Sequence, residues 1–279
     1  MTGTHKAYGV EVPEPLPPEL TLAYGPHERH RVDFWRAPAA DGAAPLLFFV
    51  HGGAWRAGDK ALDTGYWKQA FFPGRGMALA STNYRLVPGA TVEQQAEDAA
   101  AALREVLDQA GELGIDPQRV VLLGHSAGAH LVTLLGTDER WLCGAGLSFD
   151  NLAGVIGNDG ACYHVPHQLE GVPEQWRGAF IEAFGDDPER QRRLSPTCNA
   201  GGSNAPHFLL LHMPHRADGG IKQAHDLADA VRAMGSTARV VQVDASLEHG
   251  HHELNLWLGR PGHGTTEAME LWLAEVLGA

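Results

Sequence analysis

Apolar residues in this chain gather in short unbroken runs, separated by stretches in which they recur every three or four positions. The runs are APLLFFVHGG (44–53), GMALASTNYRLVP (76–88), RVVLLG (119–124), LAGVIGNDG (152–160), HFLLLHM (207–213) and ARVVQVD (238–244). Runs of this length without polar alternation predict strands buried on both faces. ERHRVDFWRAP (28–38) alternates instead and predicts an edge strand or hairpin arm. Helical spacing predicts helices over 91–114, 126–137, 220–235 and 265–277, the first with Thr91 as N-cap. Strands alternating with helices predict the α/β class, a mostly parallel central sheet with helices on both faces.

Two segments depart from that rhythm. Residues 1–22 are polar and carry Pro13, Pro15, Pro17 and Pro18, which predicts an extended N-terminal arm; one domain is expected over 23–279. Residues 163–196 are irregular, aromatic and charged, which predicts a cap-like insertion.

Composition narrows the function classes. A formal charge of −13 with no basic run argues against nucleic acid or an anionic membrane as partner. Cys143, Cys162 and Cys198 are too scattered for a disulfide framework or a zinc knuckle. The N-terminus lacks an apolar h-region, and no apolar run reaches the roughly 18 residues of a membrane span, so a cytoplasmic protein is expected. Nothing in the chain reports its oligomeric state.

The chemistry is concentrated in VVLLGHSAGAHL, residues 120–131. Ser126 sits in Gly-x-Ser-x-Gly, directly after a predicted strand and directly before a predicted helix. That context predicts a strained elbow that lifts the hydroxyl above the sheet edge, with the next helix aiming its free N–H groups at the same point. HGGAW (51–55) ends the first buried run. Its paired glycines let the backbone approach a developing oxyanion, and the N–H groups of Gly53, Ala54 and Ala127 are the candidate donors. His51 is expected to hold the loop rather than react. A serine nucleophile needs a base, and DASLEHGHHELN (244–255) offers His249, His251 and His252. A metal reading of that histidine cluster is disfavoured because no further ligand follows at suitable spacing.

With these residues in view, the chain resembles the α/β-hydrolase superfamily, in its hormone-sensitive-lipase-related esterase branch, and is similar to kynurenine formamidase-like and feruloyl-esterase-like enzymes. YGPHERHRVDFWRAP, FFVHGGAWRAGDK, STNYRLVP, VVLLGHSAGAHL and HHELNLWLGRPG carry the resemblance. It implies an α/β-hydrolase fold and a nucleophile at Ser126, with oxyanion donors at Gly53, Ala54 and Ala127. Its spacing of histidine, apolar residue, Asn and Gly falls on His251, Leu254, Asn255 and Gly259 and selects His251 as base, with His249 the alternative. The family order of serine, acid, histidine, with the acid after the strand that follows the cap, points to Asp218; Asp159, at the end of the preceding strand, is the alternative.

The implied reaction is hydrolysis of a small or aromatic carboxylic ester through an acyl-enzyme, with no cofactor and no metal. Hydrolysis of an N-formylkynurenine-like amide is the alternative, and an inactive hydrolase fold used for binding is the third reading. Trp55, Tyr66, Trp67, Tyr163 and Trp176 are the aromatic candidates for the pocket wall. A histidine base also implies that the rate falls on the acid side as the imidazole takes up a proton.

Overall fold

The computed structural model describes residues 3–38, 42–216 and 218–278. Ten strands follow in chain order: β1 (Thr4–Ala7), β2 (Val10–Pro13), β3 (Leu20–Ala23), β4 (Arg31–Trp35), β5 (Ala44–Val50), β6 (Ala78–Thr82), β7 (Ile115–His125), β8 (Leu152–Asn158), β9 (His207–His212) and β10 (Thr237–Gln242). Eight of them form one sheet in the order β10-β9-β8-β7-β5-β6-β4-β3. The six strands from β10 to β6 run parallel, and β4 and β3 close that edge antiparallel.

Each long run is buried because both faces of its strand are covered. Leu46, Phe48, Val50, Leu122 and Val155 join one core with the helices Val92–Asp108 and Ala127–Thr137. Their neighbours Leu47, Phe49, Val121, Leu123 and Ile156 point the other way, against the helix Gly264–Leu277. A fully buried side chain of this size contributes about 1.5–3 kcal/mol relative to an exposed one, so neither face tolerates a charge. Thr91 caps its helix as expected: its hydroxyl accepts from the Gln94 N–H at 3.3 Å while Gln94 accepts from the Thr91 N–H at 3.0 Å.

The sheet order also decides where a site can form. From β5 the chain goes to β6 on one side, then crosses to β7 on the other. A crevice at the carboxyl ends of strands opens at such a reversal. Register puts three loops side by side there, since Val50 pairs with Gly124, Gly124 with Gly157 and His125 with Asn158.

The N-terminal segment differs from the expected arm. β1 and β2 form an antiparallel hairpin, with Ala7 opposite Val10. β3 joins the main sheet, so the boundary expected after residue 22 falls inside a strand. The insertion is built of short helices, Val165–Gly171, Glu174–Phe184, Pro188–Arg193 and Pro196–Asn199, between β8 and β9. Among the described residues no helix is long and apolar enough to cross a membrane.

Two fully buried histidines brace the loops above the sheet in neutral form. His51 donates from Nδ1 to the Gly52 carbonyl at 2.6 Å and accepts from Arg29 at 3.3 Å. His130 donates from Nε2 to the Leu194 carbonyl at 2.7 Å and accepts from Trp55 Nε1 at 3.3 Å. Burial pushes both down to about 4, whereas an unfolded histidine titrates near ~6.5. Between those values the unfolded chain binds protons that the folded one refuses, so stability rises with pH across that window. Acidification from about 6.5 to 4 should therefore remove on the order of 3 kcal/mol per histidine, and lower pH no more from these two groups. Urea unfolding measured through that window should show the decline, with a shallower slope for His130→Gln; an unchanged slope would contradict the neutral assignment.

Candidate active site

Ser126 joins β7 to the helix Ala127–Thr137 with φ 55° and ψ −118°. This is a costly conformation for a residue with a β-carbon, and it persists only where the surroundings enforce it. The flanking glycines supply the enforcement. A β-carbon on Gly124 would lie 2.1 Å from the Gly128 carbonyl oxygen, and one on Gly128 would lie 2.1 Å from that of Val50. Strand and helix thus approach at backbone contact, and the Ser126 N–H is fixed to the Asn158 carbonyl at 3.0 Å.

His251, the base expected from the sequence, lies on the short helix Gly250–Leu256. Its Nε2 lies 3.0 Å from Ser126 Oγ, and its Nδ1 lies 2.6 Å from Asp159 Oδ2. The His251 carbonyl accepts from Nε2 of the buried His125 at 2.8 Å, which ties the base to the elbow. Burial, then the His251 imidazole, holds His125 well below the usual histidine range. His249 and His252 do not reach the serine. The His249 Nε2 lies 3.7 Å from Glu248, and His252 stacks on Tyr8.

The carboxylate that lies beside His251 is not the expected Asp218. Asp218 does not reach His251; its carboxylate holds Arg216, at 3.0 Å to Nε and 2.5 Å to Nη2. Arg216, itself almost fully buried, turns its Nη1 to Asp159, at 3.1 Å to Oδ1 and 2.7 Å to the backbone oxygen. The carboxylate beside His251 therefore comes from the end of β8, and the loop after β9 contributes a cation to it instead. Burial alone would push the Asp159 carboxyl up. The Arg216 charge and the His251 hydrogen bond outweigh burial and hold it well below the usual carboxylate range. Arg216 was invisible as a site residue in the chain, although a basic side chain two positions before the only carboxylate of that loop was the available signal.

Gly53, Ala54 and Trp55 have φ of 114°, 50° and 61°, so the HGGAW loop curls tightly back on itself. A β-carbon on Gly53 would fall 2.2 Å from the Ala57 carbonyl oxygen. No backbone carbonyl among the described residues takes the N–H of Gly53 or Ala54. Ala127 is the first residue of its helix, where the N–H has no intrahelical partner. The three expected donors therefore sit at the loops that flank Ser126.

These groups open into a cleft of about 640 Å³. Of the aromatic candidates, Trp55 and Trp176 line it. Tyr66 and Trp67 pack edge to face on each other, on the helix Lys60–Gly74, and do not reach the cleft. Tyr163 is buried and does not line it; a β-carbon on Gly160 would lie 2.2 Å from its hydroxyl. Phe180 from the insertion and Tyr8 from the hairpin complete the aromatic wall, and neither was singled out from the sequence.

Comparison with known proteins agrees with this fold. Residues 32–150 match the BD-FAE family. A probable isoprenylcysteine alpha-carbonyl methylesterase of Oryza sativa subsp. japonica is 33% identical over 88% of the chain, and Esterase LipC of Mycobacterium tuberculosis is 27% identical over 91%. The chain spans 59% and 64% of those two proteins' lengths, so both relatives are longer. Esterase B of Lactobacillus rhamnosis superposes with a TM-score of 0.75 at 21% identity, covering 95% of this chain and 87% of that one. By its sheet, its serine elbow and its likeness to that structure, the chain has the α/β-hydrolase fold.

Proposed function

We propose that this chain is a serine carboxylic-ester hydrolase acting on small esters through an acyl-enzyme. The observation that carries the reading is the continuous chain Ser126–His251–Asp159, at 3.0 and 2.6 Å, open to the cleft. Asp159 stays ionised and accepts from His251 Nδ1, which leaves Nε2 free to take the serine proton. Ser126 Oγ then bonds to the ester carbonyl carbon, and the oxyanion rests on the N–H groups of Gly53, Ala54 and Ala127. The C–O bond breaks, and the alcohol leaves with the proton from His251. Water attacks the acyl-enzyme, gives its proton to His251, and the carboxylic acid departs as Oγ regains that proton.

The ester reading is favoured over formamide cleavage because the rice relative is named a methylesterase and the mycobacterial one an esterase. A cytoplasmic setting is proposed on the composition of the chain and its three unpaired cysteines. The test is a p-nitrophenyl ester series run beside N-formylkynurenine, with fluorophosphonate labelling as a count of active serine. Ester turnover with stoichiometric labelling at Ser126 is expected. Exclusive formamide turnover would replace the substrate class, and no labelling would overturn the nucleophile.

A further inference from the structure

We infer that the N-terminal hairpin, residues 4–13, forms one end wall of the substrate cleft, and that Tyr8 at its tip limits the size of the ester accepted. The inference rests on the hydrolase reading above and adds a specificity determinant to it.

The tip is Tyr8-Gly9, with φ of 50° and 82°. Both residues of this two-residue turn lie at positive φ, where Asn, Asp and Gly are the usual occupants. Tyrosine is an unfavourable choice there, so its side chain rather than its backbone explains its presence. The ring faces the cleft and stacks on His252, centroids 4.3 Å apart and planes within 8°. His252 follows the base in sequence, and its ring meets that of His251 at 5.3 Å. Gly9 presses equally closely on the other neighbour: a β-carbon there would lie 2.7 Å from the His249 ring.

The hairpin is not free to act as a loose arm. A two-stranded hairpin is at best marginally stable in isolation. This one buries Ala7, Val10 and Val12 against Leu256 and Trp257, at the end of the helix that carries His251. Its continuation is tied down where the Leu16 N–H donates to Gln69 at 2.6 Å. The same contacts that place His251 therefore place Tyr8. Trp176 and Phe180, on the helix Glu174–Phe184 of the insertion, line the same cleft. Among the described residues that line it, Tyr8 is the one contributed by the hairpin.

The experiment uses the full chain with Tyr8→Ala, Tyr8→Trp and Tyr8→Phe. Each is assayed on an acyl series of p-nitrophenyl esters from acetate to octanoate and on an alcohol series of acetates, normalised to serine labelled by a fluorophosphonate. Tyr8→Ala should raise kcat/KM for the largest ester relative to the smallest by about tenfold or more in at least one series, the range one or more methylenes command in an apolar pocket. Tyr8→Trp should shift the ratio the opposite way, and Tyr8→Phe should keep the wild-type order. If Tyr8→Ala fails to fold, the direction of the Tyr8→Trp shift decides the question. Ratios within twofold of wild type in both series, with serine labelled, would overturn the inference. Failure of the wild-type chain to label would instead overturn the hydrolase reading.

Discussion

Replacing Ser126 by alanine is expected to lower kcat on a p-nitrophenyl ester by about a million-fold, the scale seen when a triad serine is removed. The residual rate should stem from binding and oxyanion stabilisation alone. Stability is expected to change little. The Ser126 N–H bond to Asn158 is made by the backbone, and alanine meets the same positive-φ strain as serine. His251 merely loses a partner on its solvent-facing side, since Nδ1 keeps Asp159. Kinetics and a thermal melt on the same preparation check both halves. A folded variant that keeps more than a trace of turnover would show that the nucleophile lies elsewhere.

Asp159→Asn is expected to cost about ten-thousand-fold in kcat, because an amide holds the imidazole in the wrong tautomer. It would also leave Arg216, almost fully buried, with its charge answered by Asp218 alone. Asp218→Asn should be far milder, since that carboxylate touches Arg216 and not the base. The ordering of the two variants is the measurement. An Asp218→Asn loss equal to that of Asp159→Asn would return the acid to the loop after β9.

Local pattern was enough for the scaffold because parallel strands covered on both faces leave a plain signature. LLFFV, VVLL and GVIG needed no partner to be read as buried strands, and Ala- and Glu-rich spacing marked the helix after Thr91. The helix Lys60–Gly74 left no such trace. It is broken at Gly65, contains Pro73, and buries Thr64, Lys68 and Gln69 on its inner side. Those polar side chains are satisfied by distant partners, Lys68 by the Asn255 carbonyl at 2.6 Å and Thr64 by Ser81 at 2.5 Å. A period search equates buried with apolar, and long-range hydrogen bonds break that equation. The hairpin was masked in a similar way, since the prolines that follow it suggested an extended arm while the Tyr-Gly turn between HKA and VEV went unread.

The site divides along the same line. The chain alone determined Ser126 and the glycines around it, because an elbow at backbone contact is a local steric condition that admits few residues. It also determined the HGG loop, for the same reason. The choice of His251 among neighbouring histidines came from a resemblance, and the structure brings that ring to Ser126 and Asp159. Only the tertiary structure decided which of Asp159 and Asp218 lies beside His251. Both follow a strand on the correct edge of the sheet, and sequence distance carries no information about which carboxylate faces an imidazole from a third loop. What separated them was Arg216, whose fork spans the gap between the ends of β8 and β9 and draws Asp218 away from the base. Tyr8 belongs to the same class of fact. It lies at the opposite end of the chain from His251, and only folding stacks it on the adjoining His252.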